Sequence, residues 1–193
     1  MIADCTAIIL AGGDSRRMGQ DKAMLSFKQQ PLIQSVIATM QPLFAATIVS
    51  VREPRPEIHL PQVLDHDSNG GPLVALIASL AAMQTNWAFV VGCDMPFVSP
   101  ALVEKLALKR ATQHAVIAVV AGHLQPLAGF YSRRSLVLLR AHLALGQKSL
   151  VGALKGMMVS YVDEGELLKS DPLLRSFFDL DTPQDLLVAQ GMD

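Results

Sequence analysis

The sequence predicts an α/β fold, a mostly parallel sheet with an antiparallel addition and helices on both faces. Three observations predict it. Short apolar, β-branched runs alternate with longer segments in which apolar residues return at helical spacing. The runs themselves carry almost no charge, as strands buried on both faces require. The strongest runs open directly into loops rich in glycine and charge, where open α/β sheets hold their ligands. With 193 residues, 51% of them apolar, the chain can bury a sizeable core and is expected to form one domain over 1–193.

The elements follow in order. "CTAIIL" (5–10) reads as a buried strand, and "LIQSVIATM" (32–40) repeats apolar residues at helical spacing. "ATIVSV" (46–51) and "QVLD" (62–65) are the second and third strands, separated by a loop that Pro54, Pro56 and Pro61 mark. "GPLVALIASLAAM" (71–83) is a helix with Pro72 near its start, where the missing N–H costs little. "WAFVVGCD" (87–94) is a fourth, near-continuous apolar strand. "SPALVEKLALKR" (99–110) is a helix with Ser99 as N-cap and Pro100 at its first position. "AVIAVVA" (115–121) and "PLAGFYS" (126–132), joined by "GHLQ", are close enough to pair antiparallel. "SLVGALKGM" (149–157) reads as helix, "MMVSYVD" (157–163) as strand, and "TPQDLLVAQ" (182–190) as a closing helix capped by Thr182.

The bulk numbers exclude several classes. A net charge of −1 argues against a nucleic-acid binder, which would carry a basic face. Mean hydropathy is +0.35, yet the apolar runs fall short of the ~20 residues that span a bilayer. No signal-like segment precedes Gly12, so a soluble, cytoplasmic protein is expected. Cys5 and Cys93 lie outside any CxxC pattern, which points to two buried free thiols in a reducing compartment. The histidines show no metal-ligand spacing, and His66, His114, His123 and His142 are expected on the surface.

The chemistry gathers at the strand exits. In "LAGGDSRRMGQDK" (10–22) glycines let backbone N–H groups approach a phosphate, while Arg16, Arg17 and Lys22 supply countercharge. Neither a P-loop nor a dinucleotide fingerprint is present, and a solvated basic turn is the alternative. Asp94 ends a buried strand in "CDMPF" (93–97), where a lone carboxylate is costly unless paired or metal-bound. It either binds Mg²⁺, which takes one or two carboxylates plus substrate phosphates, or caps the turn before Pro96. Asp179 and Asp181 in "DLDTP" flank the last helix; at least one does capping or turn work, and Asp181 is the preferred metal ligand. Asp65 either holds a ribose hydroxyl or base edge, or is a solvated loop residue.

"LAGGDSRRMGQDK", then "GGPL", "CDMPF", "QPLAGFY" and "DLDTPQDL" together resemble the molybdenum cofactor guanylyltransferase family of nucleotidyltransferases over essentially the whole chain. The paired glycines, "MGxDK" and "DMPF" point to the guanylyl branch; a cytidylyl relative more often starts with Ala-Ala-Gly. The resemblance implies a Rossmann-like nucleotidyltransferase fold, GTP and Mg²⁺ as ligands, and molybdopterin as acceptor. It further implies that Leu10, Ala11, Gly12 and Gly13 meet the nucleotide, that Lys22 contacts its phosphates, that Asp65 lies in its pocket and that Asp94 binds Mg²⁺. Where relatives can place Asn after the second strand, this chain reads "IVSVRE", and Ser50 is aligned as the nucleotide contact.

The activity so implied is transfer of GMP from GTP to a molybdopterin phosphate, with Arg16, Lys22 and Asp94 as catalytic groups and Asp94 and Asp181 on the metal. Transient contact with cofactor-donating or cofactor-accepting molybdenum proteins is expected, and no nucleic acid or membrane partner. Two other readings stand beside it: a cytidylyl or sugar-phosphate nucleotidyltransferase, and a GTP-binding module without turnover.

Overall fold

In a computed structural model, which describes residues 1–13, 22–65 and 71–192, one seven-stranded sheet forms the centre. Its strands are β1 (Ile2–Leu10), β4 (Phe44–Val51), β5 (Gln62–Leu64), β6 (Trp87–Gly92), β7 (Ala115–Val120), β8 (His123–Ser132) and β9 (Val159–Val162); β2 (Ser26–Phe27) and β3 (Gln30–Pro31) make a separate hairpin. The spatial order is β5-β4-β1-β6-β8-β7-β9. Only β8 runs against the others, pairing antiparallel with β6 and β7, which is the antiparallel addition expected from sequence. The order reverses beside β1, whose neighbours β4 and β6 both follow it in the chain, so the fold has the switch point at which α/β sheets open a crevice.

Alternation along β1 divides the core. Ile8 and Leu10 point to one face with α2 (Gly71–Ala82), α4 (Leu136–Ala144) and α5 (Leu150–Leu154). Cys5, Ala7, Ile9 and Ala11 point to the other, with α1 (Leu32–Met40), α3 (Pro100–Ala107) and α6 (Glu164–Leu167). Both cysteines are buried thiols. The last helix, α7 (Pro183–Gln190), packs Ala189 with Leu180 against Phe27 and Leu32 in a small cluster of its own. Its Thr182 cap forms a full capping box with Asp185.

Several elements differ from the sequence expectation. Helix α4 falls in a stretch that the sequence reading passes over, because only Leu139 on it is buried while Val137 is exposed, and no clean stripe results. The β7–β8 connection is tighter than "GHLQ": Ala121 and Gly122 alone turn the chain, both at positive φ, the requirement of a type I′ hairpin. Strand β1 starts at Ile2, with a register irregularity before Thr6. Ser99 sits at the N-cap of α3 without a side-chain cap bond; its N–H instead donates to Ser176 Oγ. Of the histidines, His123 is exposed but His114 and His142 are half-buried, and His114 Nδ1 accepts a bond from the Met158 N–H.

Candidate active site

The parallel strands end along one edge, and backbone bonds extend their alignment one residue beyond the ladders. Ala11 N–H donates to Ser50 O, Cys93 N–H to Leu10 O, and Asp65 N–H to Val51 O. Four loops are thereby held side by side around a cavity of about 330 Å³, a size that suits one small ligand. From β1 come Leu10, Ala11, Gly12 and Gly13; from β4, Arg52; from β5, Asp65; from β6, Cys93 and Asp94. Lys22 reaches in from the turn before β2, Gly71 and Pro72 start α2 at the wall, and Leu127 of β8 closes the far side.

Of the sequence-predicted site residues, Leu10, Ala11, Gly12, Gly13, Lys22, Asp65 and Asp94 line this one cavity. Asp65 is 5% exposed, a buried carboxylate rather than a solvated loop residue. Ser50 is fully buried, its Oγ has no hydrogen-bond partner among the described residues, and it does not line the cavity. Arg16 and Arg17 lie outside the described residues, as does His66.

Lys22 organises the charges. Its ammonium is 3.4 Å from Asp94 Oδ2 and hydrogen-bonded to Asp181 Oδ1. The three side chains are 15%, 24% and 47% exposed, so the cluster is only partly shielded from water. Burial works against the charge on Lys22, but the bond to Asp181 and the charge of Asp94 outweigh it and hold the ammonium above its usual value. Asp181 is brought to Asp94 from 87 residues away because Leu180 N–H donates to Asp94 O while the α7 capping box fixes the chain behind it: Asp181 N–H also donates to Asp185 Oδ2. Asp179 keeps an exposed surface overall, yet protein atoms crowding its carboxyl, with the charges of Asp94 and Asp181, push it up to about 7.

Gly92 makes the Asp94 geometry possible. A Cβ there would stand 2.2 Å from Asp94 Oδ1, so any side chain would displace the carboxylate that folds back over the end of β6. Asp94 and Asp181 present hard oxygens that already converge on one cation, the Lys22 ammonium. Two carboxylates with the remainder left to phosphate and water is the donor set Mg²⁺ takes. No group of three or more His, Cys, Asp or Glu suited to a metal occurs among the described residues.

Sequence reasoning missed Arg52, Cys93 and Leu127. Arg52 carried a usable signal: alternation puts it on the same face as Ser50, one step nearer the strand exit. Leu127 carried none, since it belongs to the one reversed strand and enters the site from the opposite direction.

Residues 7–158 match the family model described as the MobA-like NTP transferase domain. The chain is 36% identical over 196 residues to a protein of Chloroflexus aggregans named probable molybdenum cofactor guanylyltransferase, covering 96% of this chain and 93% of that one. It is 33% identical over 189 residues to a protein of the same name from Pelotomaculum thermopropionicum, covering 97% and 92%. Among solved structures, the molybdopterin-guanine dinucleotide biosynthesis protein A of Archaeoglobus fulgidus superposes with a TM-score of 0.86 at 26% identity, covering 97% of each chain.

Proposed function

This chain belongs to the MobA-like NTP transferase family and is a nucleotidyltransferase, and on that premise we propose that it transfers GMP from GTP to the terminal phosphate of molybdopterin. The observation that carries the reading is the convergence of the glycine loop, Lys22, Asp65 and Asp94 on one cavity at the switch point of the sheet. The names of the relatives supply guanine and molybdopterin; the cavity supplies the means of holding a nucleotide. Cytoplasmic synthesis and hand-over to molybdenum proteins complete the proposal; no helix among the described residues is long and apolar enough to cross a membrane.

A phosphomonoester loses its second proton with a pKa near 6, so the acceptor phosphate is already a nucleophile at neutral pH and needs no protein base. One of its oxygens attacks the α-phosphorus of GTP. The new O–P bond forms as the bond from the α-phosphorus to the bridging oxygen breaks, and the electron pair leaves with pyrophosphate. The backbone of Ala11–Gly13 binds and orients the phosphates. Asp94 and Asp181 would hold Mg²⁺, which when bound supplies neutralising charge at the phosphates. Lys22 then turns its charge from the carboxylates to the departing pyrophosphate, shared with Arg16. Catalysis is positioning and charge stabilisation.

The test is pyrophosphate release with GTP, ATP, CTP and UTP, each with and without molybdopterin. Release with GTP alone, dependent on the acceptor, is expected. Turnover of CTP would establish the cytidylyl alternative, and GTP binding without release would establish the non-catalytic one.

A further inference from the structure

Among the described residues, the Arg52 side chain lines the cavity without a hydrogen-bond or ion-pair partner. Arg52 follows β4 and lies on the same face as Ser50, toward α2. Its Nε is shut away from solvent without a hydrogen-bond partner, and among the described residues its guanidinium forms no ion pair. Its Cγ lies 3.3 Å from the point where a Gly12 Cβ would stand, so the missing side chain of Gly12 is what lets the arginine stem lie along the cavity wall. A buried donor left unmade is costly. The Nε is out of a ligand's reach as well, so what a ligand in the cavity can engage is the outer edge of the guanidinium, a half-buried cation with no ion pair among the described residues.

The sheet order says which part of a nucleotide that is. Along the exits run Asp65 of β5, Arg52 of β4, Gly12 of β1 and Asp94 of β6. Neighbouring strands are ~4.8 Å apart, so the β4 exit is two spacings, roughly 10 Å, from the Asp94 end where the α-phosphate is held. One ribose separates that phosphate from the base, and the β- and γ-phosphates lead the other way. Arg52 therefore stands at the base.

We propose that Arg52 is the specificity-determining residue for guanine, donating from its planar fork to O6 and N7. Guanine presents two acceptors on that edge, adenine one acceptor and an amino donor, and cytosine an amino donor, so the same arginine that accepts guanine is left unpaired by the others. This inference rests on the guanylyl reading and deepens it.

Binding measured by calorimetry separates the two. Wild-type protein, Arg52→Gln and Arg52→Lys are titrated with GTP, 7-deaza-GTP, ATP and CTP, after thermal unfolding has shown each variant folded. A bidentate contact of this kind is worth a factor of roughly 5 to 150. Wild-type protein is expected to lose part of that factor on 7-deaza-GTP, and Arg52→Gln to lose it on GTP while binding ATP more tightly than wild type does, since a glutamine amide pairs with adenine N6 and N7 where the arginine is left unpaired. Arg52→Lys keeps the charge but not the fork and should lose the guanine preference as well. Equal weakening of all nucleotides by Arg52→Gln, with rescue by Arg52→Lys, would make Arg52 a phosphate contact and overturn the proposal. No change in any affinity would overturn it too. A wild-type preference for CTP over GTP would instead remove the guanylyl reading, a result visible without any variant.

Discussion

The two flanks of the sheet both carry lysine–carboxylate pairs, and they are built in different ways. On the β8-β7-β9 side, Lys105 and Lys109 reach Glu166 at 3.8 and 2.8 Å, Glu164 accepts from the Ala121 N–H, and Asp163 caps α6. Each carboxylate has a partner nearby in the fold, and the result is a closed, exposed surface. On the β5-β4-β1-β6 side, Lys22 is shared by Asp94 and Asp181, 72 and 159 residues distant in sequence, and Asp179 adds a third carboxylate to the same neighbourhood. Ordinary surface pairs contribute little to stability. Among the described residues the carboxylates of this cluster outnumber the ammonium, and that excess opposes folding; the proposed cation and polyphosphate would complete the balance.

The largest effect that could break this contrast is at Asp94. Asp94→Asn keeps the volume and removes the charge that the proposed metal site needs. We expect unchanged circular dichroism and a loss of turnover on the order of 10²–10³-fold, the scale of one removed transition-state contact. Near-wild-type turnover of the variant at limiting Mg²⁺ would return Asp94 to the class of turn-capping residues.

Lys22→Ala comes next. Negative charge builds on the pyrophosphate as it separates, so an ammonium that follows it acts more strongly in the transition state than in the ground state. kcat/KM for GMP transfer should fall by roughly 10²–10³-fold, and GTP affinity by much less. Equal losses in both would make Lys22 a uniform binding contact; no loss in either would make the charged cluster as dispensable as the opposite flank.

How much of this was legible in the sequence divides along the same line. The exits of β5 and β6 were readable because a carboxylate within two residues of an apolar strand end, Asp65 or Asp94, has few structural uses, and that of β1 because paired glycines follow it. The α7 start was readable because Thr182-Pro183 and Asp185 are a local code. What stayed hidden depends on the fold: the reach of Asp181 to Lys22 is set by the Leu180–Asp94 backbone bond, and the presence of Arg52 rather than Ser50 in the cavity lining is set by how far β4 runs before its exit. Helix α4 was hidden for another reason. It lies against α2 and α5 at the rim, so its pattern records partial burial and carries no stripe.

A smaller effect sharpens the claim that the exit cluster opposes folding. Asp179→Asn removes a carboxylate that protein atoms and two like charges disfavour. At pH 8 in EDTA, where the native carboxylate is ionised, the variant should melt about 1–3 °C higher, since 1 kcal/mol corresponds to roughly 2–4 °C in a chain of this size and solvent screens an exposed group. A lower melting temperature would mean that Asp179 is held by favourable contacts and that the cluster is not in excess.

The smallest expected effect is the control on the other flank. Glu166 is held below its ordinary 4.5, first by the bond from Lys109, and also by the charges of Lys109 and Lys105. A carboxylate with a depressed value stabilises the fold above its unfolded pKa, and that contribution fades as pH falls through the folded one. Glu166→Gln should therefore lower the melting temperature slightly at pH 7 to 8, and the difference from wild type should disappear as pH falls below the unfolded value and through the lower native one. Added salt should shrink it at neutral pH as well, because both lysines and the carboxylate are open to solvent. GTP affinity and turnover should not change, since Glu166 lies on α6 outside the cavity lining. A loss of turnover as large as that of Lys22→Ala would show that the two flanks are coupled, and pairing within one flank would no longer separate stabilising charges from functional ones.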